Sequence, residues 1–265
     1  MTIAFDPKTF ATPQTINLNA ASLDLNGNTF GPVTILGPAA GLTPDAGVTV
    51  NGSLDVGTGV TAIISGLTLS ATLSNFGVTT LRDSTITGSS GDGVFNSPLY
   101  NGSMTIENCT IAANQELGII SYGPLTILDS SIIGNGVNSG DDVASGIAGA
   151  FTLGNTIVAE NVNGDVRGSM TSLGHNLIGN TAGSTGWLKT DLTGTEAYPL
   201  NPKLSALGSN GGATPTQIPL PGSPAIGAGS VALIPAGVTT DERGLPRVVD
   251  GKVDIGAVEV QPAAS

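Results

Sequence analysis

Arg82, Asp83, Glu107 and Asp129 are the residues whose types and spacing come nearest to an acid–base site. An arginine beside calcium-binding carboxylates can serve as the base of a lyase, and two carboxyl groups about 5–9 Å apart can hydrolyse a glycosidic bond. Arg82 adjoins Asp83 in the sequence, and Glu107 is expected on the next repeat. The acids of this stretch are otherwise single, so the residues favour a non-catalytic role over an enzyme.

The elements that would position these residues belong to one repeated phrase. Its four clear copies occupy residues 80–86, 105–111, 126–132 and 152–158, and their last residues are 25, 21 and 26 positions apart. Each copy alternates with a period of two, which predicts a strand. Because so short a strand pair cannot bury its own apolar face, the copies are expected to stack as the coils of a solenoid. The side chains of Leu125, Ile127 and Ile132 are expected to point into its core.

Each copy carries an Asp or Asn at the same place. Asp and Asn tolerate left-handed backbone and bond their own turns, so columns of them are expected at the bends. One predicted column comprises Asp83, Asn108, Asp129 and Asn155, and a second comprises Asn114, Asn135, Asn161 and Asn180. The alternation of Asp with Asn keeps like charges about 10 Å apart, two strand spacings. A structural ladder is favoured, a calcium column of Asp83, Asp129 and Glu107 is the alternative, and no other cofactor is expected.

The last segment concentrates charged residues. Mixed signs favour an ion-pair network that pins the tail to the coils, with an active site as the alternative; its members are Asp241, Glu242, Arg243, Arg247, Asp254 and Glu259. We therefore expect a β-helix with an N-terminal cap at residues 1–182 and a capping tail of the same domain at residues 183–265. Residues 5–20, with Phe5, Phe10 and Phe30, are expected to form the cap. Trp187 is expected to cover the C-terminal end of the core.

Composition excludes several classes of function. The 265 residues carry a formal net charge of −12 with only eight basic side chains, which argues against binding to nucleic acid. No apolar run reaches the roughly 18 residues of a membrane helix, so no membrane insertion is expected. Cys109 is the only cysteine, so no internal disulfide is expected. His175 is the only histidine, and we interpret it as a bend residue rather than a general base.

Several motifs resemble those of one family of bacterial surface proteins. They lie in the opening residues 5–16, in the repeated phrase, and in the tail at residues 201–204, 210–216, 222–226, 240–247 and 253–259. Over nearly its whole length the chain is similar to right-handed parallel β-helix proteins that carry a choice-of-anchor Q domain. The resemblance implies export and attachment to a cell surface through an anchor beyond this domain. It implies neither an established activity nor catalytic residues, and the chain is expected to be a piece of a longer exported protein.

These observations lead to one fold and two functions. The predicted fold is all-β: a single-stranded right-handed parallel β-helix, a solenoid like that of pectate lyases, with an N-terminal cap and an extended C-terminal tail packed on the coils. The favoured function is that of an extracellular or cell-surface, non-catalytic module that is adhesin-like, structural or glycan-binding. The alternative is a polysaccharide lyase or glycoside hydrolase, because many β-helices are such enzymes. A polysaccharide or cell-surface glycan is the expected partner, and self-association through the β-helix ends is a further expectation.

Overall fold

The chain winds into a stack of parallel strands. The computed structural model describes residues 1–6, 9–10, 12–26, 31–38, 47–97, 102–138 and 145–262. These residues form one sheet of 20 strands, and every strand pairing in it is parallel. The described residues contain no α-helix. Phe30 and the acidic pair Asp141 and Asp142 lie outside the described residues.

Three faces of the coil run the length of the stack, with strands numbered in chain order. The first face holds β1 (Thr2–Ala4), β3 (Val33–Leu36), β5 (Thr61–Ser65), β8 (Val78–Arg82), β11 (Ser103–Glu107) and β14 (Leu125–Leu128). The second holds β6 (Leu67–Leu69), β9 (Thr85–Thr87), β12 (Thr110–Ala112), β15 (Ser131–Ile133), β17 (Ile157–Ala159), β19 (Leu177–Ile178) and β20 (Leu192–Thr193). The third holds β7 (Leu73–Asn75), β10 (Val94–Asn96) and β13 (Ile119–Ser121).

Four longer strands each span two faces. Strands β2 (Gln14–Leu25) and β4 (Val48–Val56) bend from the second face onto the third. Strands β16 (Ile147–Gly154) and β18 (Val166–Ser172) bend from the third face onto the first. The chain therefore visits first, second and third face in turn and rises by one strand spacing, about 4.8 Å, per coil. This is a parallel β-helix, and it confirms the predicted fold class.

The core lies inside the coils and is built from columns of aliphatic side chains. Ile86, Ile111, Ile132 and Val158 are directly in register on consecutive coils, and all four are buried. Burying each such side chain stabilises the fold by roughly 1.5–3 kcal/mol. Alternate residues point outward, because successive side chains of a strand face opposite sides. The period of the repeat and its alternation thus set which residues enter the core.

The N-terminal end differs in detail from the expected cap. Strands β1 and β2 pair with β3 and β4, so residues 14–20 form part of the outermost coil and not a separate cover. Phe5 and Phe10 do pack against the core, with ring centroids 5.0 Å apart in an edge-to-face contact. The sequence pattern could not separate these roles, because β2 is an irregular strand with a shift of register between Asn17 and Ser22.

The C-terminal tail lies along the second face of the helix. Its chain is extended and turns often, with one short 3-10 helix at Val231–Leu233. Ala225 and Ile255 of the tail share a second apolar cluster with outward-facing residues of the coils, which include Ile157 and Leu177. The Gly256 N–H donates to the Asn155 carbonyl at 2.8 Å. The tail therefore packs on the coils, as the sequence predicted.

Candidate functional site

The bend between the first and second faces carries the column of Asp and Asn residues. Asp83, Asn108, Asp129 and Asn155 all have positive φ, between 49° and 58°. This left-handed conformation suits Asp and Asn, whose short polar side chains bond locally. Asn108 Nδ2 donates to Asp83 Oδ1 at 2.6 Å, and Asn155 Nδ2 donates to Asp129 Oδ1 at 2.9 Å. An amide thus adjoins each carboxyl group.

The tail docks on this same column. Asn108 Nδ2 also donates to the Thr240 carbonyl at 3.2 Å, and Asn155 Nδ2 donates to the Ser230 carbonyl at 2.9 Å. Asn155 Oδ1 accepts the Ser230 N–H at 2.8 Å. His175 has φ 57° at the corresponding bend, and its Nδ1 lies 2.8 Å from the Ala228 carbonyl. The structure therefore places His175 in a bend against the tail.

A second column lies at the end of the second face. Asn114 Nδ2 donates to Asn135 Oδ1, and Asn135 Nδ2 donates to Asn161 Oδ1, both at 2.9 Å. Asn161 Nδ2 then donates to Asp165 Oδ1 at 2.8 Å, and Asp165 Oδ2 accepts the Asn180 N–H at 2.6 Å. Asp165 therefore takes the place that the sequence analysis gave to the side chain of Asn180. Its pKa is raised to about 6, chiefly by burial.

Sequence reasoning missed a third column at the end of the third face. Asn75 Nδ2 donates to Asn96 Oδ1 at 2.8 Å, and Asn96 Nδ2 donates to the Ser121 hydroxyl at 2.9 Å. All three side chains are buried. Their positions lie outside the quoted phrase, at spacings of 21 and 25 residues that match one coil each.

The structure does not bring the four candidate acid–base residues together as one site. Arg82 and Glu107 form an ion pair on the outer side of the first face, with Arg82 Nε 2.9 Å from Glu107 Oε2. Asp129 is fully buried and accepts from Arg247 Nη2 at 2.8 Å. The Asp83 carboxyl group accepts a hydrogen bond from Asn108. Each of the four already bonds another residue of the fold.

Asp83 and Glu242, a residue of the tail, both line a cleft of about 580 Å³. The cleft lies between the first coils and the tail; Phe5, Leu36 and Thr240 line it, and Asp83 and Glu242 are its titratable lining residues. Burial raises the pKa of Asp83 to about 6. Burial also raises the pKa of Glu242 well above its ordinary value, and the nearby Asp83 carboxyl raises it further. Burial therefore favours the protonated form of both acids.

Glu242 has hydroxyl partners in place of a cation. The Thr110 hydroxyl lies 2.6 Å from Glu242 Oε2, and the Thr85 and Thr214 hydroxyls lie 2.8 Å and 3.0 Å from Oε1. The side chain is almost completely buried. Among the described residues no cation pairs with Glu242, which corrects the prediction for this residue.

Two ion pairs do involve the tail. Arg243 bonds Asp241 through Nη2 at 2.7 Å and Nε at 2.9 Å. Arg247 bonds Asp129 and also donates to the Gly256 carbonyl at 2.6 Å. Asp254 and Glu259 accept backbone N–H groups of the tail instead, and burial raises the pKa of Glu259 to about 8. The predicted network is thus two pairs linked by backbone bonds.

The outer side of the first face carries a column of threonines that the sequence analysis did not single out. Seven of its eight rungs in direct register are threonine and the third is Ile63; the threonines are Thr2, Thr34, Thr80, Thr105, Thr126, Thr152 and Thr171. Four of them are the first residues of the four copies of the repeat. In the part of the chain that the structure describes, no protein group bonds these seven hydroxyls.

Three aromatic rings stand beside this face, at the corner where the third face turns into the first. The ring centroids of Phe76 and Phe95 are 5.9 Å apart, and those of Phe95 and Tyr122 are 6.1 Å apart. Tyr122 is 61% exposed. It opens onto a groove of about 420 Å³ whose wall includes Thr126, Thr152 and Thr171.

The described residues contain neither a metal-binding cluster nor a membrane-spanning helix. Within the described ranges, no three His, Cys, Asp or Glu side chains come together as a group that could hold a metal ion. Across the same ranges, no helix has the length and apolarity that crossing a membrane requires.

Comparison with known proteins identifies the fold. No family model matches the chain, and no curated protein matches it. Among solved structures, the chain is similar to the crystal structure of pectate lyase Pel9A, with a TM-score of 0.51 and 14% sequence identity. The match covers 94% of this chain and 87% of that chain. At this identity the likeness shows the fold: a right-handed parallel β-helix of the pectate-lyase type.

Proposed function

We propose that this chain is a non-catalytic β-helix module of an exported, surface-attached protein, and that it binds glycans in an adhesin-like role. One observation carries the proposal. The four residues nearest to an acid–base site are each engaged by a partner within the fold. Export and surface attachment are supported by the motifs shared with choice-of-anchor Q proteins.

The engagement of these residues bears directly on catalysis. A general base must be within reach of the proton that it removes and free to accept it. The guanidinium of Arg82 is paired with Glu107, and that of Arg247 is buried against Asp129. Asp129 itself is fully buried. A substrate on the outer surface would have to displace these bonds before any of the groups could react.

The test is incubation of the chain with neutral and acidic polysaccharides, with and without calcium. Reducing ends and unsaturated products are followed, and retention on the insoluble polymers is measured. Retention without products is expected. Release of products would contradict the proposal, and the absence of both would leave a structural spacer as the function.

A second candidate is a polysaccharide-active enzyme, and the cleft between coils and tail favours it. Two carboxyl groups whose surroundings set their pKa values apart are the usual pairing of a catalytic acid and base. Burial raises the pKa of Asp83 to about 6 and raises the pKa of Glu242 well above its ordinary value, and both residues line one cleft. The structural neighbour is a pectate lyase. If this candidate is right, Asp83→Asn and Glu242→Gln each abolish product release.

A further inference from the structure

We infer that the glycan lies on the first face and that it is a neutral polysaccharide, held by the threonine column and by Tyr122. This inference rests on the proposed function and adds to it the place and the chemical class of the ligand. It makes the outer side of strands β5, β8, β11, β14, β16 and β18 the binding surface.

The hydroxyl groups of the column are available to a ligand. Thr80, Thr105, Thr126 and Thr152 are half-buried along their stems, while their hydroxyls bond no protein group among the described residues. A threonine hydroxyl donates one hydrogen bond and accepts others. Sugar hydroxyls have the same capacity, so the two sets are complementary. On the second face, by contrast, Glu242 of the tail engages the Thr85 and Thr110 hydroxyls.

Charge selects the class of glycan. The chain has a formal net charge of −12, so a polyanion approaching it meets an unfavourable field. Among the described first-face residues of these strands, Arg82 and Glu107 are the charged residues, and they pair with each other. The exposed Arg167 of β18 lies on the third-face part of that strand. The face therefore offers no unpaired cation to a uronic acid or a sulfate. A neutral polymer meets neither repulsion nor the cost of stripping water from a charge.

The aromatic corner supplies the apolar contact that hydroxyls alone lack. An aromatic ring is amphipathic and packs against the C–H face of a sugar ring. The Phe95 ring packs against Tyr122 and is itself in contact with Phe76. Tyr122 lines the groove together with Thr126, Thr152 and Thr171. The ring and the column thus border one continuous strip of surface.

The shape of the strip favours a polymer over a single sugar. Eight rungs at about 4.8 Å span roughly 34 Å, with no deep pocket at any one rung. Each rung contributes little binding energy, so affinity must accumulate over several sugars. We expect retention to rise with chain length and free monosaccharide to compete poorly.

The experiment uses the whole chain and measures retention on insoluble cellulose and chitin, and on polygalacturonate as the acidic polymer. Two changes are made on the strip: the double variant Thr126→Lys with Thr152→Lys, and Tyr122→Ala. Their matched controls are Thr193→Lys, at an exposed threonine of β20, and Tyr198→Ala, at a tyrosine that is 83% exposed. Circular dichroism verifies that each variant is folded.

We expect wild type and both controls to be retained on a neutral polymer, and each strip variant to bind about tenfold more weakly. Equal retention of all five proteins would overturn the inference and leave the proposed function standing. Retention on polygalacturonate alone would overturn the neutral class. Failure of the wild type on every polymer would overturn both proposals. If light scattering shows that the strip variants lose a dimer and keep retention, the strip is a contact between copies and the inference fails.

Discussion

The buried pair of Arg247 and Asp129 should be the contact on which docking of the tail depends most. Both side chains are completely buried, and Arg247 Nη2 bonds Asp129 Oδ1 at 2.8 Å, the Gly256 carbonyl at 2.6 Å and the Asp254 carbonyl at 3.3 Å. Arg247→Met keeps most of the volume and removes the charge. It leaves Asp129 as a buried acid without a cation, and removal of one member of such a pair costs about 3–5 kcal/mol.

The effect should depend on pH in a defined direction. Arg247 lowers the pKa of Asp129 against the larger effect of burial. Without Arg247 the native state favours protonated Asp129, whereas the unfolded chain releases this proton as the pH rises, so the native state loses stability with increasing pH. We therefore expect the loss in Arg247→Met to be larger at pH 8 than at pH 5. The second change Asp129→Asn removes the stranded charge, so the double variant should recover more than half of the loss.

Urea unfolding, followed by circular dichroism and by the fluorescence of the single Trp187, measures these free energies. Trp187 packs against the main core, so its emission reports on the coils. Arg82→Met is the control, since Arg82 is part of a half-exposed pair and such pairs contribute about 0–1 kcal/mol. If Arg247→Met unfolds within about 1 kcal/mol of wild type at both pH values, the tail is not pinned by this pair and the reasoning is wrong.

Three further predictions concern the columns and the buried acids. Asn135→Ala breaks bonds to Asn114, Asn161 and the Ile111 carbonyl, so its urea midpoint should correspond to a loss of at least about 2 kcal/mol, whereas exposed Asn138→Ala should change it little. Glu242→Gln imitates the protonated acid and should unfold within about 1 kcal/mol of wild type, whereas Glu242→Ala strands three threonine hydroxyls and should cost about 1–3 kcal/mol. The pKa of Glu259 is near its ordinary value of 4.5 in the unfolded chain and about 8 in the folded protein. Between these pH values the native state holds one more proton than the unfolded state. Stability therefore falls as the pH rises through this range, by up to about 1.4 kcal/mol per pH unit. Glu259→Gln should reduce the slope of the free energy of unfolding against pH by the contribution of one proton, as measured by urea denaturation at several pH values. An unchanged slope would assign the pH dependence to other groups.

The fold could be predicted because its determinants are local and repeated. Alternation with period two predicts strands, and a spacing of 21–26 residues fits one coil that crosses three faces. Asp83 and Asn108 were predictable at a bend because few other residues adopt left-handed backbone without cost. The cap was predicted less well, because β2 pairs with β4 as an inner strand does, and its shift of register between Asn17 and Ser22 obscures the repeat.

The pairing of tail and coils could not be predicted residue by residue. Thr85 and Glu242 are 157 positions apart, and Asp129 and Arg247 are 118 apart. No local pattern specifies which tail residue meets which coil. From the sequence, the cluster of mixed charges therefore predicts a network that includes Glu242. The threonine column could not be predicted for a different reason. The first residue of each copy is part of a strand, and its outward direction becomes significant only when the coils stack into a face.

The distribution of polar groups links stability to the proposed binding. The tail brings its charged residues to the second face, where Asp241, Arg243 and Arg247 are buried in bonds to one another and to Asp129. The tail therefore covers this part of the second face. The first face keeps its outer surface open and almost without charge. A solenoid with buried charges and an exposed row of threonine hydroxyls would adsorb a neutral polymer through many weak contacts. Binding should therefore resist salt, and should weaken about tenfold when Thr126 and Thr152 are both replaced by lysine.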